Sequence, residues 1–211
     1  MSRFHNKLSI GEFCKICSGG TPDTSNRNYW DGGQIPWMSS GEVHKKRVKE
    51  TDGFITNEGL LNSSAKIFPQ NTVLVALAGQ GKTRGIVAIS QIELSTNQSI
   101  AGIISDQSIC LSEFLYFNLD NRYQELRSES GGSGRAGLNL SIIANLEINL
   151  PPLPEQKKIA ETLSGIDKVR DCYIKKMKKI ILCLEGLLSD FFNDLKQNTP
   201  LIKIASFGEV I

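Results

Sequence analysis

Along the last third of the chain, apolar residues recur at alternating spacings of four and three. The series runs Ile159, Leu163, Ile166, Tyr173, Met177, Ile180, Leu184, Leu187 and Phe191; only Arg170 breaks it, and Val169 stands beside that position. This is a heptad pattern, and it predicts one long helix with an apolar seam. Pro151-Pro152-Leu153-Pro154 ends whatever precedes it. Pro154 suits a first helical turn, where no N–H is needed, and Glu155 sits by the positive end of the helix dipole. No further proline occurs before Pro200, so the helix is expected over residues 154–196, roughly 60 Å of rise. A helix cannot bury such a stripe against itself. The nine seam residues therefore call for a second helix, supplied by another copy or another repeat.

The first 150 residues carry a different rhythm. Residues 72–78 (TVLVALA) and 84–92 (RGIVAISQI) are β-branched and apolar and are separated by Gly79 and Gly81, which predicts two strands; residues 99–104 give a third. Residues 112–127 predict a helix with Leu115, Leu119, Tyr123 and Leu126 on one face and Ser112 as its cap. Loops rich in Gly, Ser and Asn fall at 18–34 and 128–140. The expected fold class is α+β: a strand-rich mixed α/β domain over 1–150, then one long coiled-coil-forming α-helix over 151–197. Residues 198–211 read as a linker and the start of a second repeat, because Gly208-Glu209-Val210 echoes Gly11-Glu12-Phe13.

Charge adds little. The 211 residues carry a net charge of +2. The first 150 hold 14 Lys/Arg and 14 Asp/Glu, and the remainder 10 and 8. Neither part announces a polyanionic partner by its bulk charge, so any such surface must come from local clustering. The five cysteines are odd in number and scattered, and no apolar run approaches membrane-spanning length. A cytoplasmic, thiol-reduced protein without a membrane partner is expected.

Several catalytic signatures fail on inspection. Gly81-Lys82-Thr83 resembles the end of a phosphate-binding loop, but Ala76 stands where the first glycine belongs, and a strand is predicted next rather than a helix. Gly132-Ser133-Gly134-Arg135-Ala136-Gly137 fits a dinucleotide fingerprint in letters only, since no buried strand precedes it. Cys14-Lys15-Ile16-Cys17 lacks a second ligand pair for zinc, with only His5 and His44 in the chain. No catalytic set and no metal site assemble.

Four stretches instead suit recognition. Ser18, Gly19 and Thr21 lie in a tight SGGTP loop whose amides and hydroxyls can hold a phosphate oxygen, close to Trp30 and Trp37. Lys45, Lys46 and Arg47 form a local basic cluster, or an ordinary solvated surface. Gln80, Lys82, Thr83 and Arg84 sit on a glycine-flanked hairpin that a nucleic-acid backbone can approach closely. Asn97 and Gln98 carry carboxamides suited to bidentate contact with adenine. The two tryptophans read as core anchors or as base-stacking platforms.

Residues 18–22 (SGGTP), Tyr29-Trp30, Ile35-Pro36-Trp37, residues 79–82 (GQGK), 96–99 (TNQS) and 148–156 (INLPPLPEQ) occur in an order and spacing that resemble a specificity (S) subunit of a type I restriction-modification system. The resemblance implies one target recognition domain followed by one conserved helix. It implies a non-catalytic subunit that reads one half of a bipartite site on double-stranded DNA. It also implies partners: methyltransferase (M) subunits, a restriction (R) subunit, and a second copy or second repeat joined through the helix. S-adenosylmethionine, ATP and Mg would then bind the partner subunits only. The competing expectation is a coiled-coil scaffold that does not bind DNA.

Overall fold

A computed structural model describes residues 6–79, 82–128 and 138–198. Gln80, Gly81, the glycine loop at 132–137 and the terminal echo at 208–210 lie outside the described residues. The chain divides into two compact units between Glu161 and Thr162.

The strands of the first unit are β1 (Asn6–Ser9), β2 (Cys14–Ser18), β3 (Ile35–Met38), β4 (Arg47–Val48), β5 (Gly53–Ile55), β6 (Val73–Ala76), β7 (Val87–Ser90), β8 (Ser95–Thr96), β9 (Ile100–Ser105) and β10 (Glu147–Leu150). Its helices are α1 (Asn57–Leu61), α2 (Ser112–Asn121), α3 (Tyr123–Ser128), α4 (Leu140–Ala144) and the beginning of α5 (Leu153–Asn198). A five-stranded sheet has the order β2-β9-β6-β7-β4. A three-stranded sheet has the order β5-β3-β8, and β1 pairs antiparallel with β10.

The predicted strands at 72–78, 84–92 and 99–104 become β6, β7 and β9, at the centre of the large sheet. Their near-continuous apolar character has a physical cause. Both faces of this sheet are covered, so neither set of alternating side chains meets water. Val73, Val75, Val87, Ile89, Ala101 and Ile103 pack on one side with Phe114, Leu115, Leu119, Leu126 and Ile143. Leu74, Ala76, Ala88 and Ile100 pack on the other with Met38, Val43, Val48 and Leu94. Gly102 of β9 lies under the fully buried Phe68 ring, where a Cβ would come within 2.2 Å of Cε1.

The helix expected over 112–127 forms as two. At Arg122 the backbone leaves helical dihedrals (φ −97°, ψ 23°), and its guanidinium donates to the Glu147 carbonyl on β10 at 3.0 Å. The N-cap is Leu111 rather than Ser112. The Ser112 hydroxyl is buried against Ser105 and Gln107, and the Gln107 side chain accepts from the Ser112 N–H at 3.3 Å. A glutamine five residues upstream thus does the work expected of the serine.

The helix α5 begins where the prolines predict. Glu155 and Gln156 N–H groups both donate to the Pro152 carbonyl. The Gln156 side chain is buried and makes three 2.9 Å hydrogen bonds: Oε1 accepts from Leu111 N–H, and Nε2 donates to the carbonyls of Ile109 and Pro151. Ile159, expected in the intermolecular seam, packs instead on the core of the first unit, because it falls in the turns of α5 that dock there.

In the second unit, Ile166, Tyr173, Met177, Ile180, Leu184, Leu187 and Phe191 are all more than half exposed, and Leu163 is half-buried. The exposed apolar face is wider than the heptad seam. Ile174, Ile181, Leu188 and Leu195 add a second row at seven-residue spacing. No helix among the described residues is long and apolar enough to cross a membrane.

Candidate nucleic-acid interface

Strand register brings three of the four recognition stretches to one end of the large sheet. Ser18 closes β2 opposite Ala101, at the start of β9. Ala76 closes β6 opposite Ile100. β7 runs antiparallel to β6, with Val87 opposite Val75, so it starts at that end too. The loops after β2, between β6 and β7, and before β9 therefore emerge together. Leu77 N–H donates to the Ser99 carbonyl at 2.8 Å and laces two of them.

The SGGTP loop folds onto the TNQS loop. Gly20 N–H donates to the Thr96 carbonyl at 2.8 Å, and Thr21 Oγ1 donates to Gln98 Oε1 at 2.6 Å. A Cβ on Gly19 would lie 2.1 Å from the Thr96 carbonyl oxygen, and one on Gly20 would lie 2.3 Å from Ser64. Only a residue without a side chain fits either place. From beneath, Trp37 Nε1 donates to the Gly20 carbonyl and Trp30 Nε1 to the Asp23 carbonyl, each at 3.0 Å. The two indoles meet edge-to-face at 5.1 Å. Both are half-buried and act as a clamp on the loop. That role lies between core anchor and stacking platform.

The hairpin residues lie beside this pair of loops. Lys82 is exposed, and its carbonyl accepts from the Tyr123 hydroxyl at 2.8 Å. Arg127 donates to that hydroxyl at 3.0 Å and lies over the Tyr123 ring. Gly85 adopts φ +83°, with Leu126 and Arg127 against it. Thr83 and Arg84 are half-buried, and Arg84 Nε is a buried donor without a partner among the described residues. Tyr123 and Arg127 were missed as supports of the hairpin. Their spacing fits an ordinary helix face, and nothing in the sequence shows that the hairpin folds over it.

The basic cluster lies elsewhere. Arg47 pairs in register with Ile89, which faces Val73, so β4 sits toward the opposite end of the sheet. Its cations are held by carboxylates. Lys45 meets Glu42 and Asp52, each at 2.8 Å; Lys46 meets Asp120 at 2.5 Å; and Arg47 grips Glu113 bidentately at 2.8 and 3.0 Å. A free cationic patch at 45–47 is thus not what forms, because acidic residues on α2 and in the adjoining loops neutralise it. Burial favours the protonated form of Glu42, but hydrogen bonds from Lys45 and from the Asp52 and Ser39 N–H groups outweigh it and hold the carboxyl below its usual range.

Cys14 and Cys17 lie three apart on β2, which turns their side chains to opposite faces. Burial pushes the thiols of Cys14 and Cys110 up to about 12. Among the described residues, no group of three or more His, Cys, Asp or Glu side chains is arranged to hold a metal ion.

Residues 5–181 match the family described as the type I restriction modification DNA specificity domain. The chain is 31% identical over 190 residues to the type I restriction enzyme MjaIX specificity subunit of Methanocaldococcus jannaschii, covering 88% of this chain and 42% of that one. It is 25% identical over 195 residues to the EcoR124I/EcoR124II specificity subunit of Escherichia coli, covering 91% and 48%. It spans about half the length of these curated relatives. Two crystal structures share the fold. One is the HsdS subunit from Thermoanaerobacter tengcongensis, with a TM-score of 0.59, 19% identity and coverage of 80% and 38%. The other is the S subunit of the type I restriction-modification system of M. genitalium, with a TM-score of 0.62, 14% identity and coverage of 87% and 44%.

Proposed function

We propose, since the chain belongs to the type I restriction modification DNA specificity domain family, that its first unit reads one half of a bipartite site on double-stranded DNA. The observation that carries this reading is the gathering of the SGGTP, hairpin and TNQS loops at one end of the large sheet. These loops offer backbone amides, hydroxyls, carboxamides and the exposed Lys82, a set suited to phosphate positioning and base-edge contact. Ser18, Gly19, Thr21, Lys82, Thr83, Arg84, Asn97 and Gln98 belong to this surface; Gln80, a candidate by sequence, lies outside the described residues. Lys45, Lys46 and Arg47 brace the fold instead.

The subunit is non-catalytic in this reading and works in the cytoplasm. Its helix joins a second copy or second repeat and helps to hold methyltransferase and restriction subunits. Those partners bind S-adenosylmethionine, ATP and Mg. The unpaired apolar face of α5 supports such assembly.

Methylation-site mapping tests the proposal. DNA is modified by the methyltransferase with this subunit present or absent, and methylation confined to one bipartite sequence only when it is present is expected. Absence of any sequence-directed methylation and of any DNA binding in the complex would leave the scaffold reading standing.

A further inference from the structure

Charge along α5 is segregated. Residues 168–179 hold six cations and one acid, Asp171, whereas the rest of Leu153–Asn198 holds three cations and six acids. Two of the six cations are engaged: Arg170 meets Asp167 at 3.0 Å and Asp171 at 3.2 Å, and Lys176 lies over the Tyr173 ring at 5.9 Å. The other four, Lys168, Lys175, Lys178 and Lys179, are exposed and have no ion-pair partner among the described residues. Lys168, Lys175 and Lys179 recur at spacings of seven and four, so they share one face of the helix. Lys175 stands two residues from both Tyr173 and Met177, about 160–200° round the helix from each. A second helix laid on the apolar face therefore leaves these lysines outward.

We propose that this lysine stripe binds the phosphate backbone of double-stranded DNA without reading its sequence. The assignment rests on the DNA function proposed above. Free ammonium groups in a row, with no acid set against them, are complementary to a polyanion. Lys168 to Lys179 spans roughly 16 Å of helix, a length over which a duplex presents about ten phosphate charges. Lysine meets a phosphate as a point charge and needs no fixed fork geometry, which suits contact without base readout. A bipartite site contains such unread duplex between its halves. The same helix then carries two surfaces with different tasks, an apolar one for assembly and a cationic one for the backbone.

The test uses the full chain and fluorescence anisotropy on a random-sequence duplex over about 50–200 mM salt. Each phosphate contact contributes about 0.9 to the slope of log affinity against log salt. The triple variant Lys168→Gln, Lys175→Gln, Lys179→Gln should flatten that slope by about 2–3, and Lys175→Gln alone by about 1. Circular dichroism should show the helix retained. Adding Glu185→Gln, Asp190→Asn and Asp194→Asn to the triple variant restores the net charge of the chain and should not restore the slope. An unchanged slope in both lysine variants overturns the proposal. So does a slope restored by the three added neutralisations, which marks bulk charge rather than contact. Weaker retention of the methyltransferase at an unchanged DNA slope overturns it too, in favour of an acidic protein surface as the occupant. A wild-type chain that prefers no sequence, yet loses slope in the variants, supports the stripe and overturns the half-site reading. A wild-type chain that binds no duplex overturns both.

Discussion

Replacing Gln156 by alanine removes one buried side chain that ties three segments together. The amide accepts from Leu111 N–H at the start of α2 and donates to the carbonyls of Ile109 and Pro151. Its residue is 1% exposed, so water does not take over these partners in the folded state. Each neutral hydrogen bond contributes about 1 kcal/mol net, and an abandoned buried donor costs about 1–3 kcal/mol. The loss expected for Gln156→Ala is therefore about 3 kcal/mol. Over a unit of this size that lowers Tm by about 6–12 °C, or the urea midpoint by about 1.5 M at a slope of about 2 kcal/mol/M. Unfolding is followed by the fluorescence of Trp30 and Trp37, both in the first unit. Gln156→Glu is the informative companion. It keeps an oxygen for Leu111 but turns a carboxylate toward two carbonyls, and it should be at least as damaging. A Gln156→Ala protein within about 0.5 kcal/mol of wild type, at unchanged slope, would refute the claim that this glutamine fastens the start of α5.

Gly20→Ala should cost at least about 1 kcal/mol of stability and most of the DNA affinity, because its Cβ would lie 2.3 Å from Ser64; a gel-shift titration at native-like stability would contradict this if affinity were unchanged. Arg47→Met should lower stability by about 1–2 kcal/mol through its bidentate pair with Glu113, yet leave DNA affinity within about twofold in filter binding. Lys82→Ala should do the reverse, weakening DNA binding without shifting Tm. The depressed Glu42 carboxyl contributes stability that is present above its unfolded value of 4.5 and lost as pH falls through the lower folded value; Glu42→Gln should flatten that acid limb in a pH series of urea midpoints. Leu184→Asp places a carboxylate on the exposed apolar face and should reduce any self-assembly seen by light scattering to monomers.

The elements written in local pattern were legible. The apolar runs of β6 and β7, the prolines before α5 and the heptads behind them all report on neighbours within a turn or a strand. What escaped depends on residues far apart in the chain. Thr21 meets Gln98 across 77 residues, and Lys46 meets Asp120 across 74. The basic cluster therefore looked free until the topology placed acidic side chains on it. Ile159 has the spacing of a seam residue, but the first turns of α5 lie on a core that periodicity does not reveal. The break at Arg122 has no proline or glycine to signal it. It follows the pull of a β10 carbonyl 25 residues on. The recognition stretches were legible as chemistry, but their convergence needed the register of β2, β6 and β9.

The pairing of β1 with β10, Asn6 opposite Leu150 through Ser9 opposite Glu147, bears on how such a protein can change. The chain enters and leaves the head through two strands that lie side by side. Everything between them, including all three loops at the sheet end, is a closed excursion from that two-stranded stem. One excursion can be exchanged for another, provided the new one returns to the same stem, without rethreading the chain or altering where α5 sets out. The stem behaves as a socket, and a new reading surface can arrive as a single piece.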